Sequence, residues 1–81
     1  MPVGDYSYLL AALGDLEEKG LIRVSRRKNS YAVETPSSRM LIVFDLRDVV
    51  SYTVEYDSDG KAKKVVLVLS NGILADIPEY G

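Results

Sequence analysis

The stretch Lys-Val-Val-Leu-Val-Leu-Ser at positions 64–70 limits the fold of this chain more than any other. Five apolar residues run without a break, and three of them, Val65, Val66 and Val68, are β-branched. A run that short reads as a strand covered on both faces, not as a helix. Val65, Leu67 and Leu69 then point to one side, and Val66 and Val68 to the other. The rest of the chain has to supply cover for both.

Ahead of this strand, Tyr6, Leu9, Leu10, Leu13 and Leu16 recur at helical spacing, so a helix is expected over 5–19. Asp5 is its expected N-cap and Gly20 its left-handed stop. Asp15, Glu17, Glu18 and Lys19 form its wet end. Gly14, inside the helix, is expected where the helix presses closely on a sheet. Leu21–Val24 and Tyr31–Glu34 read as a hairpin over 21–34, with a basic turn of Arg26-Arg27-Lys28-Asn29-Ser30 between them. Pro36 ends the return strand. A β-meander is expected over 40–77. Its strands are Met40-Leu41-Ile42-Val43-Phe44, the alternating segment 50–56, the organising strand and 73–77, closed by Pro78. In the alternating segment, Val50, Tyr52, Val54 and Tyr56 share one face. Asp45-Leu46-Arg47-Asp48, with one helical turn, Asp57-Ser58-Asp59-Gly60 and Asn71-Gly72 are its turns.

The expected fold is therefore α+β: one domain, 1–81, with an N-terminal helix packed on a curled antiparallel sheet of five to six strands. One helix cannot cover every two-sided strand. Either the sheet curls into a partial barrel or a second copy covers the remainder.

Composition removes several functions. There is no cysteine, so no disulfide scaffold or thiolate metal site, and no histidine, which takes away the commonest general base and zinc ligand. No apolar run approaches the roughly 18 residues of a membrane helix, and no secretory signal is visible, so a cytoplasmic protein is expected. Glutamine is absent and asparagine occurs twice, a usage seen in heat-adapted proteins. The formal net charge is −2, but six of the ten basic residues and a single acid, Glu34, lie between Lys19 and Arg39.

The helix followed by the basic hairpin resembles the last helix and wing of a winged-helix DNA-binding domain. The resemblance covers about a third of the chain, and it implies that Arg26, Arg27 and Lys28 sit at a wing tip facing phosphates. Too few residues precede the helix for a complete winged helix. The meander is similar to stretches of PH-like and other small β-barrel domains, which carries no function over. Asp57-Ser58-Asp59-Gly60-Lys61 resembles the start of a calcium loop, but Lys61 and Val68 stand where oxygen ligands belong, so an ordinary turn is expected.

The expected function is a small, non-catalytic binding module of a nucleoprotein assembly. It would contact DNA or RNA through Arg23, Arg26, Arg27, Lys28 and Arg39. The alternative is a pure protein-interaction subunit, homo- or hetero-oligomeric, using sheet edges and the Tyr52/Tyr56 face. No catalytic residue, metal or cofactor is expected. Asp45 and Asp48 are the nearest thing to a paired-carboxylate site, and Asp76 is expected to face solvent.

Overall fold

The computed structural model describes residues 6–37 and 39–78. Its elements are α1 (Ser7–Glu18), β1 (Arg23–Arg27), β2 (Ser30–Thr35), β3 (Met40–Asp45), a 3-10 turn (Leu46–Asp48), β4 (Val49–Tyr56), β5 (Ala62–Leu69) and β6 (Leu74–Ile77). The chain is α+β with six antiparallel strands, but these make two three-stranded sheets, β1-β2-β3 and β4-β5-β6, rather than one continuous sheet. The cut falls at Asp45. Its carboxylate accepts the Arg47 N–H at 3.0 Å and starts the 3-10 turn, so β4 leaves β3 and pairs with β5.

The helix begins later than expected, with Tyr6 at the N-cap position and no side-chain cap. Asp5 lies outside the described residues. Leu9, Ala12, Leu13 and Leu16 are buried and pack mainly on β5. At the other end the expected stop is present. Gly20 has φ +79°, its N–H donates to the Glu17 carbonyl, and the Leu21 N–H donates to the Leu16 carbonyl. These are the paired hydrogen bonds of a Schellman ending, and they satisfy carbonyls a helix terminus leaves open.

Gly14 is not pressed on a sheet. It is exposed, and a methyl group built there would meet nothing within 4 Å. Glycine in an open helix interior costs entropy without giving a contact. Gly14→Ala is therefore expected to stabilise the fold by about 1 kcal/mol, read as a higher urea midpoint at unchanged slope.

One core joins the two sheets to the helix. Leu9 and Leu16 belong to the same cluster as Val65, Leu67 and Ile77 of one sheet and Val33 and Phe44 of the other. Tyr31 and Phe44 stack with ring centroids 5.8 Å apart. The parity expected for β5 holds, because Val65, Leu67 and Leu69 are buried while Val66 and Val68 are only half-buried. The same shortage of cover shows on β3, where Phe44 is buried but Leu41 and Val43 are 62% and 63% exposed. The chain thus covers one face of each sheet.

Strand β4 departs from simple alternation. Val49 pairs with Leu69 and Ser51 with Val68, which leaves Val50 as the extra residue of a bulge. Val49 takes the buried place, and Val50 turns out, 48% exposed.

Candidate interaction surfaces

The basic hairpin is tighter than its sequence suggests. Arg27 pairs with Ser30, so only Lys28 and Asn29 form the turn and the strands run through Arg26 and Arg27. Strand alternation then separates neighbouring cations. Arg23 and Arg27 face outward beside Glu34 and Ser30. Arg26 lies on the opposite face with its guanidinium 5.7 Å from the Tyr31 ring centroid, a cation–π contact. Lys28 occupies the tip at φ +52°. Arg39, at φ +56°, precedes Met40, which pairs with Thr35 at the far end of β2. That is the full length of a six-residue strand from the tip, roughly 20 Å. The five cations are therefore divided between two faces and two ends of one sheet.

The tyrosines behave differently. Tyr52, Val54 and Tyr56 of β4, with Ser51, line an open groove of about 390 Å³ whose opposite wall is Tyr8 of α1. Tyr52 and Val54 lean against the core, whereas Tyr8 and Tyr56 remain 66% and 51% exposed. None of the five lining residues is charged. Among the described residues β4 is the outer strand of its sheet, so the groove runs along a sheet edge. The role of Tyr8 was not readable from the chain, because position 8 lies off the Leu stripe. The only signal was an aromatic residue on the polar side of a helix.

At the helix end Asp15 and Lys19 are engaged as well. Strand β6 covers β5 only from Val65 to Val68, so it stops short of Ala62. The helix takes its place. Asp15 Oδ2 accepts the Ala62 N–H at 3.0 Å, and Lys19 Nζ donates to the Ala62 carbonyl at 2.9 Å. Residues four apart on a helix share a face, which is why this pair can bracket the N–H and carbonyl of one residue. Lys19 also donates to Asp57 Oδ2 at 2.7 Å, and Asp57 Oδ1 accepts the N–H groups of Asp59 and Lys61. Every oxygen of Asp57 has a partner, as in a self-capped turn with Gly60 at φ +81°.

The Lys19 ammonium, with the Lys61 and Asp59 N–H groups, holds the Asp57 carboxyl below its ordinary value. Its folded pKa is lower than its unfolded one, so the contact stabilises the fold above the unfolded pKa of about 4 and is lost as pH falls through the folded value. In Asp57→Asn this part of the acid limb should vanish. Wild type and variant should differ near pH 6 and converge towards pH 2 in thermal-melt series. Asp45 is lowered in the same sense by hydrogen bonds from the Arg47 guanidinium and N–H. Asp48 meets the Ser70 hydroxyl at 3.5 Å, and its carbonyl accepts the Ser70 N–H at 2.8 Å. The two carboxylates thus hold local structure on either side of the 3-10 turn. Asp76 is exposed, 4.0 Å from Lys64.

Another depression, about 330 Å³, lies between the edges of β3 and β6 and is lined by Leu41, Ile42, Ile73 and Leu74 among others. No helix among the described residues is long and apolar enough to cross a membrane. Comparison of the chain with protein-family models, curated proteins and solved structures finds no match.

Proposed function

We propose that this chain is a non-catalytic protein-interaction module that receives an extended segment of a partner protein along β4. The supporting observation is the groove in which Tyr8, Tyr52 and Tyr56 converge from two elements along an edge strand. Tyrosines supply large contact area at small entropic cost, and an edge strand supplies backbone hydrogen bonds. An uncharged lining suits a peptide better than a phosphate chain.

The test is selection of displayed random peptides against the immobilised chain, followed by titration of the enriched peptides. Wild type should bind them, and Tyr8→Ser with Tyr56→Ser should weaken binding by about tenfold or more. Amide signals of residues 51–56 should shift on binding. Peptides that bind both proteins equally and leave those amides unmoved would defeat the proposal.

A nucleic-acid contact is the second reading, favoured by the outward Arg23 and Arg27 with Lys28 at the tip of the same hairpin. It predicts binding to short duplex or single-stranded DNA or RNA that falls steeply with salt. Replacing Arg23, Arg27 and Lys28 together would flatten that slope. With a protein partner, the same triple change leaves peptide binding intact.

A further inference from the structure

The outer face of the first sheet carries a depression of about 350 Å³ beside the hairpin turn. Its floor is made of small side chains, Ser25 on β1 with Ser30 and Ala32 on β2, and Arg27 and Val43 stand at its sides. Register brings these residues together. Ser25 lies across from Ala32, Ala32 from Val43, and Arg27 from Ser30. Directly opposed residues on one sheet face are about 5 Å apart and diagonal ones about 7 Å. The Arg27 side chain and two hydroxyls therefore border one small space.

The charges on this face leave Arg27 over. Glu34 and Asp45, the acids that the strands place on it, each have a cation already: Glu34 is 3.9 Å from Arg23, and Asp45 is 3.3 Å from Arg47. Arg26 lies on the other face, over the Tyr31 ring. Among the described residues, no ion pair engages Arg27 or Lys28. The turn between them and Ser30 is held as well, because the Leu46 N–H donates to the Asn29 carbonyl at 3.2 Å. A cation presented from a held frame loses less freedom on binding than one on a loose loop.

We propose that this depression binds a phosphate monoester borne on a side chain of a partner protein. Such a group carries a charge of about −1.5 to −2 and three acceptor oxygens. Arg27 offers a two-pronged donor, Ser25 and Ser30 offer two hydroxyls, and Lys28 adds charge at the rim. Ala32 and Val43 suit the carbon stem that bears the phosphate. The site fits one phosphate and not a strand of them, because the remaining cations of the hairpin are paired or turned away. A nucleotide fits less well than a protein side chain, since its base finds no open ring to stack on. Tyr31, the aromatic residue of the lining, is 7% exposed and stacked on Phe44. Among the described residues β1 is the outer strand of its sheet, so a protein segment has room to lie along it. The site is separate from the β4 groove and does not depend on it.

Titration of the full chain at low salt, followed by amide resonances, tests this. The probes are alanine pentapeptides with a central phosphoserine or phosphotyrosine, their unphosphorylated forms, inorganic phosphate and adenosine 5′-monophosphate. At least one phosphopeptide should bind with a Kd below about 1 mM, moving the amides of residues 25–32, and its unphosphorylated form should bind at least tenfold more weakly. Arg27→Met should weaken the phosphopeptide at least tenfold with unchanged circular dichroism. Arg23→Met should change it less than twofold, because Arg23 already faces Glu34. Tyr8→Ser with Tyr56→Ser should leave it unchanged, which separates this site from the β4 groove. Phosphopeptides that bind no better than their unphosphorylated forms, or as well to Arg27→Met as to wild type, overturn the proposal. So does adenosine monophosphate or inorganic phosphate bound as tightly as the phosphopeptides, which would make this a nucleotide site or a general anion site.

Discussion

Leu67→Ala should cost about 3–5 kcal/mol, the upper half of the range for emptying a buried leucine site. Leu67 is fully buried at the centre of β5, between Tyr52 on β4 and Ala75 on β6, in the cluster that includes the helix leucines. Its neighbour Ala75 is too small to fill the space, and both flanking strands are held in register, so the cavity stays open. A chain of 81 residues has a stability of only about 4–12 kcal/mol in all. The variant should therefore unfold at much lower urea or fail to accumulate folded. Leu74→Ala, on the same sheet but 67% exposed, should change stability by no more than about 0.5 kcal/mol. Equal urea midpoints for the two variants would show that the core is not centred on β5.

That contrast also marks what could be read from the chain. The apolar run in β5, the Leu stripe of α1 and the Gly20 stop are local patterns with one geometric solution each, and the structure has all three. Parity along β5 was legible for the same reason. The split into two sheets was not, because it depends on the Asp45 carboxylate taking one backbone N–H, an event worth a single hydrogen bond. The bulge at Val50 was hidden likewise: a period-two pattern cannot show which of two adjacent valines is the extra residue. The hairpin cations look like a cluster in the sequence only while Arg26 and Arg27 are assigned to the turn. Once they join the ladder, alternation parts them. Tyr52 and Tyr56 were placed on one face by spacing, but their companion Tyr8 comes from 44 residues away from Tyr52, a distance no local pattern spans.

Asp15→Ala should cost about 2 kcal/mol, the largest loss expected from removing one polar side chain. Asp15 accepts the backbone N–H of Ala62, whose surface is fully buried and whose strand has no β6 neighbour at that point. Removing the carboxylate leaves a donor with neither a protein nor a water partner. Asp15→Asn retains an acceptor oxygen and should recover more than half of the loss. Urea denaturation of the three proteins gives both numbers. An alanine variant as stable as wild type would mean that Ala62 finds another acceptor, and that the helix is held to β5 by its leucines alone.

The two sheets share a core but no ladder. Among the described residues, no backbone hydrogen bond joins β1, β2 or β3 to β4, β5 or β6. Motion that slides one sheet past the other therefore rearranges side chains and breaks no rung. Interdigitated side chains resist such sliding by shape alone, so its barrier is set by rotamer hops in Phe44, Val33 and their neighbours. Displacement within a sheet breaks backbone hydrogen bonds, whereas displacement of one sheet against the other is opposed by the packing of side chains.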